Sequence, residues 1–150
     1  KEHSGVTNRI IVEITETAPD RDIKQTEDFI KIMQAMGCKV ALDDFGTGYT
    51  SFHQLRNLSV DIIKIDGSYI KNIEKNSENY LFIKTLIEFA KNLGMKIVAE
   101  FVETESDALI MNDLKTDYLQ GYYYGKPCVK NETLNKIIGN IKNNKDKKII

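Results

Sequence analysis

Five short apolar runs recur along the 150-residue chain, each followed by a stretch with helical spacing, and this alternation is what most restricts the possible fold. The runs are "RIIVEIT" (9–15), "CKVALDDF" (38–45), "DIIKIDG" (61–67), "MKIVAEFV" (95–102) and "DYLQGYYYG" (117–125). Several carry Ile or Val at successive positions, as strands do when both faces are covered. Between them, "DIKQTEDFIKIMQAMG" places Phe29, Ile32, Met33 and Met36 at i, i+3, i+4 and i+7, with Gly37 as its stop. "YTSFHQLRNL" gives a shorter helix with Phe52, Leu55 and Leu58. "SENYLFIKTLIEFAKNLG" buries Ile83, Leu86, Ile87 and Ala90, and "TESDALIMNDL" opens on a capping pair, Thr104 and Asp107. "NETLNKIIGNI" predicts a last helix, with Asn131 as its cap and Leu134, Ile137, Ile138 and Ile141 facing inward. Strand–helix alternation of this kind predicts right-handed βαβ units around a parallel sheet.

Composition narrows the function classes. With 21 Lys+Arg against 22 Asp+Glu, the net charge of −1 argues against a nucleic-acid-coating surface. The sequence has no apolar run near the 18 residues or so that a membrane-spanning helix needs. Cys38 and Cys128 lack metal-type spacing and read as reduced thiols of a cytoplasmic protein, and His3 and His53 are too isolated to suggest zinc. No glycine-rich phosphate loop follows the first strand, so a dinucleotide-binding or P-loop reading is weak. The opening "KEHSG" reads as a helix tail stopped at Gly5, which suggests the later part of a longer domain.

The polar residues are more telling. Each apolar run ends in, or encloses near its end, a group that a buried strand should avoid: Glu13 and Glu16, Asp43 and Asp44, Lys64 and Asp66, Glu100 and Glu103, Gln120. In a (β/α)₈ barrel the active site is built at the C-terminal ends of successive strands. Acids gathered there raise one another's pKa, and divalent cations relieve the repulsion. Oxygen-only donors favour Mg²⁺ or Mn²⁺, and a pair of such ions can hold both the attacking and the leaving oxygen of a phosphodiester. Each residue also has a plainer reading. Glu13 and Glu16 can be ordinary strand-end acids, and "DDFGTG" a turn in which Asp44 caps the next helix. Lys64 can be a buried ion-pair partner, and Gln120 a satisfier of backbone groups. Tyr122, Tyr123 and Tyr124 read as core and rim packing rather than as a stacking platform. What separates the readings is whether these residues line one rim.

Five motifs carry a family resemblance: "EITET" (13–17), "DDFGTGYTS" (43–51), "KIDGSYI" (64–70), "AEFVET" (99–104) and "QGYYYGKP" (120–127). In order and at compatible spacing, they resemble the EAL domain family of cyclic di-GMP phosphodiesterases over nearly the whole chain. The resemblance implies a TIM-like (β/α)₈ barrel of EAL type, here incomplete at about five βα units, with residues 1–150 as the C-terminal portion of a single EAL domain. It implies Mg²⁺- or Mn²⁺-dependent hydrolysis of cyclic di-GMP to linear pGpG, using two ions. By the same resemblance Glu13, Asp43 and Asp44 are metal ligands, Lys64 contacts the nucleophilic water, and Glu100 and Gln120 are catalytic-site residues. Glu16 steadies the "DDFGTGYTS" loop, Glu103 is a further site acid, and Gly46, Thr47 and Gly48 shape a loop that serves as dimer contact or substrate gate. A homodimer and additional N-terminal sensory or diguanylate cyclase domains in the parent protein are implied as well.

Two departures from the family pattern stand out. Phe101 occupies the position after Glu100 where glycine is usual. The name-giving Glu-Ala-Leu motif and the asparagine motif after it do not occur in these residues. By the resemblance, those motifs lie on the first strands and supply two metal ligands and a substrate-binding arginine. The expectation is therefore a parent enzyme, with this chain alone inactive and its open sheet edges at 9–15 and 117–125 prone to self-association. The alternative is a degenerate relative that binds cyclic di-GMP or a protein partner without turnover.

Overall fold

A computed structural model of the chain describes residues 4–16, 23–48 and 50–127. The expected final helix at 131–141, together with Cys128, falls outside them. A short α1 (Ser4–Thr7) leads into β1 (Ile11–Thr15), α2 (Ile23–Ala35), β2 (Lys39–Phe45) and α3 (Phe52–Leu58). Then follow β3 (Ile62–Ile65), α4 (Gly67–Ile70), α5 (Glu78–Asn92), β4 (Lys96–Ala99), α6 (Glu105–Asp113) and β5 (Tyr118–Leu119). The five strands form one sheet in the order β1-β2-β3-β4-β5, with every pair parallel. Sequential order is what a barrel segment requires, whereas a doubly wound sheet reverses direction at a switch point. Among the described residues no helix is long and apolar enough to cross a membrane.

Period-two alternation divides the sheet. Ile14, Val40, Leu42, Ile63, Ile65, Ile97, Ala99 and Leu119 point to the helix layer and join the main core with Leu55, Ile83, Leu86, Ile87, Ala90 and Met111. Ala41, Ile62 and Val98 lie on the opposite face and pack with Tyr118 as a small separate cluster. That face would line a barrel interior, and its next positions along β2, β3 and β4 are Asp43, Lys64 and Glu100.

Four sequence expectations shift. The helix start at residues 4–7 runs through Gly5 rather than ending there. The run 117–125 is a strand only at Tyr118–Leu119, because the chain turns at Gly121, whose Cβ position is filled by the backbone of Val102. The run 61–67 ends at Ile65, because the Asp66 carboxylate accepts the Ser68 N–H and caps α4, an element the apolar pattern hid. On α2 the inward face is Ile30 and Met33, leaving Phe29, Ile32 and Met36 exposed. The rotation is fixed by Gln34, one position beyond Met33, whose amide donates to Ser59 O and to Asp61 Oδ2 at 3.0 Å each.

At the strand starts, opposite the polar rim, the same fastening occurs twice. Asp61, just before β3, accepts the Val40 N–H at 3.0 Å and pairs with Lys39. Asp117, just before β5, accepts the Ile97 N–H at 3.0 Å and pairs with Lys96 at 2.8 Å. Each aspartate ties its own strand to the first two residues of the neighbouring one and so sets the register.

Candidate functional site

Asp43 and Asp44 are adjacent, and regular alternation would send them to opposite faces of the sheet. The pairing of β2 with β3 breaks there: Leu42 is opposite Ile63 but Phe45 is opposite Ile65, so β2 carries one extra residue. Asp44 takes up the slack at φ +56°, a left-handed conformation that aspartate tolerates better than most residues. A β-bulge re-aims side chains, and here the result is that carboxylate oxygens of Asp43, Asp44 and Glu100 lie within 4.8 Å of one another.

Lys64 sits among these acids, with 9% of its side chain exposed. Its ammonium is 2.7 Å from Asp43 Oδ1, 3.0 Å from Glu100 Oε1 and 3.1 Å from Glu13 Oε1, so three strands converge on one cation. Burial opposes the charge on Lys64, but the hydrogen bonds to Asp43, Glu100 and Glu13 outweigh it and hold the ammonium above its ordinary range. Lys64 is therefore a fixed positive charge and not a base. Burial pushes the Glu100 carboxyl up, against Lys64 and with the help of Asp43 and Asp44. Asp44 is also pushed up, by burial first and then by Asp43 and Asp66, with Lys64 opposing. Four carboxylates face one ammonium, and the donors are all oxygen. That charge excess, with two of the acids pushed toward protonation, fits a hard divalent cation.

The loop after β2 is built on Glu16. Its Oε2 accepts the N–H of Gly46 at 2.8 Å and of Gly48 at 2.9 Å, and its Oε1 accepts that of Thr50 at 2.7 Å. Gly46, at φ +107°, leaves no room for a side chain: a Cβ would lie 2.5 Å from the Tyr69 ring, whose hydroxyl donates to Gly46 O. Thr47 turns back on the loop, donating from its hydroxyl to Asp44 O.

Of the residues singled out in the sequence, Glu13, Asp43, Asp44, Lys64 and Glu100 come together, and Glu16 holds the adjoining loop. Gln120 is exposed at the same end of the sheet, where its backbone N–H donates to Ala99 O and its carbonyl accepts from Val102. Among the described residues no hydrogen bond joins its side chain to the cluster. Glu103 lies to the side, 3.8 Å from Lys71. Asp66 acts on Asp44 electrostatically while capping α4. Its position after a strand that delivers Lys64 was the available signal.

A parallel βα sheet with consecutive strand order, and with acids from three strand ends converging on a lysine, defines the βα-barrel class with its polar site at the C-terminal rim. Within that class the chain belongs to the EAL domain family, whose family model matches residues 1–127. It is 41% identical over 129 residues to the cyclic di-GMP phosphodiesterase PdeF of Escherichia coli K12, an alignment covering 86% of this chain and 17% of PdeF. The solved PaMucR phosphodiesterase in complex with c-di-GMP superposes with a TM-score of 0.80 at 32% identity, covering 88% of this chain and 59% of that one. Klebsiella pneumoniae BlrP1, in a complex with manganese and cy-diGMP, gives a TM-score of 0.75 at 27% identity, over 81% of this chain and 31% of that one. The chain thus spans well under a fifth of the length of PdeF and somewhat over half of the PaMucR chain.

Proposed function

We propose that residues 1–150 are the C-terminal portion of an EAL domain whose parent protein hydrolyses cyclic di-GMP to linear pGpG with Mg²⁺ or Mn²⁺, two ions being held per site. The observation that carries this reading is the oxygen cluster of Asp43, Asp44 and Glu100 around the Lys64 ammonium. PdeF is named a cyclic di-GMP phosphodiesterase, and the PaMucR structure is a c-di-GMP complex.

Glu13, Asp43 and Asp44 are the residues that would hold the metal. When bound, divalent cations offset phosphate charge and lower the pKa of a water at neutral pH. The chain's own groups do the rest. Lys64, charged throughout, donates to the attacking water and orients its lone pair toward phosphorus. Glu100, 3.0 Å from the Lys64 ammonium, stands where it can accept a proton from that water. The water oxygen forms the new P–O bond as the P–O3′ bond breaks, and the leaving 3′ oxygen takes up a proton from solvent while Glu100 returns to solvent the one it accepted. Gln120 at the rim offers an amide to the substrate. Glu16 holds the backbone N–H groups of Gly46, Gly48 and Thr50, and with Thr47 these keep Asp44 seated, while Glu103 supports the same rim from outside. The parent is read as cytoplasmic at this domain and homodimeric, with further regulatory domains.

Phe101 favours a second reading, a receptor without turnover, because it brings a large exposed side chain next to Glu100. The test compares cyclic di-GMP conversion by the complete parent domain and by residues 1–150, each with Mn²⁺ and with chelator. Metal-dependent turnover by the complete domain alone supports the enzyme. Nucleotide binding without turnover by the complete domain establishes the receptor instead.

A further inference from the structure

Phe101 combines two unfavourable features that a smaller residue would avoid. Its backbone lies at φ +54°, a conformation bulky side chains rarely adopt. The residue is 58% exposed, so the apolar ring is not buried in the core. Glycine would accept the same backbone without strain and expose no ring. Both neighbours are pinned: the Glu100 N–H donates to Ile65 O, and the Val102 N–H donates to Gln120 O. The backbone between them is therefore over-determined, which is the condition under which strained conformations persist at working sites.

The ring is also placed. It lies over Gly67, where a Cβ would come within 2.5 Å of Phe101 Cγ, so the absence of a side chain at residue 67 makes its seat. Residue 67 directly follows Asp66, one of the charges acting on Asp44, and Phe101 directly follows Glu100, a member of the oxygen cluster. A flat apolar surface thus stands at the edge of an otherwise acidic site. It has no charge with which to meet a phosphate. A planar, uncharged aromatic base is the part of a nucleotide it can bind, because stacking uses a face that every base has.

We propose that Phe101 is a substrate-positioning residue that stacks on one base of the cyclic dinucleotide beside the Asp43–Asp44–Glu100 cluster. This rests on the reading of the parent domain as a cyclic di-GMP-binding domain. The ring takes binding energy from a part of the substrate remote from the reacting phosphorus, and Gly67 leaves open the space that the ring occupies.

The test measures kcat, KM and equilibrium binding of cyclic di-GMP for the complete domain and its Phe101→Gly, Phe101→Leu, Phe101→Tyr and Phe101→Trp variants. Gly and Leu should each raise KM and Kd about 10-fold or more, the lower range of a lost base–aromatic stack, with kcat changed far less. Tyr and Trp, which keep the ring face, should stay near wild type. Cyclic di-UMP, whose bases also offer a π-face, should lose affinity in Phe101→Gly as well, and rescue by Tyr and Trp but not by Leu is a pattern that a merely structural role would not produce. Leu binding as well as Phe, or Gly binding more tightly, would overturn the proposal while leaving the activity intact. A wild-type domain that neither binds nor turns over cyclic di-GMP would instead remove the underlying reading, and the stack with it.

Discussion

Glu16 is the residue whose replacement the geometry makes most predictable. Its two carboxylate oxygens accept three backbone N–H groups from one loop, at 2.7 to 2.9 Å. In Glu16→Gln one oxygen becomes an NH₂ group. If the amide keeps its oxygen on Gly46 and Gly48, the NH₂ faces the Thr50 N–H; reversed, it faces the other two. Either way at least one donor meets a donor, and the remaining bonds lose the charge that strengthens them. Hydrogen bonds to charged groups contribute about 1.5–3 kcal/mol each. The loop is only partly buried, so water replaces some of the loss, leaving about 2–3 kcal/mol. At roughly 1.4 kcal/mol per tenfold, amide exchange across residues 46–50 should accelerate about 30- to 140-fold. Hydrogen-exchange mass spectrometry on the complete domain measures this directly, with core segments as the internal reference. Unchanged exchange at 46–50 would refute the claim that Glu16 holds the loop. Gly48→Ala should act in the same direction, since its Cβ would lie 2.9 Å from Glu16 Cγ and Cδ.

Lys64→Met removes the cation shared by Glu13, Asp43 and Glu100 and should destabilise the complete domain by about 3 kcal/mol in chelator, read from the urea midpoint. Saturating Mn²⁺ should restore part of that loss, and an unshifted midpoint would show that the ion pairs are energetically idle. Burial raises the Asp61 carboxyl, but hydrogen bonds from Lys39, Gln34 and Val40 outweigh it and hold the carboxyl below its ordinary 3.8. A depressed carboxylate stabilises the fold above its unfolded pKa, and the contribution fades as pH falls through the folded value. Asp61→Asn should therefore cost roughly 1 kcal/mol near neutral pH, with the gap from wild type closing below pH 3.8; a constant gap across that range would count against the assignment. Gly46→Ala should lower stability by more than 1 kcal/mol or so, because it adds backbone strain at φ +107° to a clash with the Tyr69 ring. A thermal melt matching wild type would show that the Tyr69 contact yields freely.

Much of the architecture was legible because apolar runs and helical spacing alternate cleanly, and each of the five strands falls within one of the five apolar runs. Their ends were not, since backbone turns are set by single polar contacts. Asp66 ends β3 by capping α4, and Gly121 ends β5 by backing onto Val102. On α2 a purely apolar count chose Phe29, Ile32 and Met36, while the amide of Gln34 decided which side faces the sheet. In the site, Glu13, Lys64 and Glu100 were legible as polar groups at or near the ends of successive apolar runs. That Asp43 and Asp44 both reach the cluster was not, because it depends on the extra residue in β2, and no alternation rule announces a bulge. Gln120 and Glu103 shared the same sequence signal as the others, yet the described residues show neither in contact with Lys64.

The paired aspartates at the strand starts separate two engineering problems that share the same strands. Asp61 locks the relative heights of β2 and β3 from below, and Asp117 those of β4 and β5, through backbone N–H groups that no side-chain exchange at the rim can alter. Substitutions at residues 43, 64 or 100 can therefore be made to retune ligand preference while strand alignment is held elsewhere. In a variant whose urea midpoint matches wild type, a change in ion or ligand binding then reports on the rim rather than on a slipped sheet.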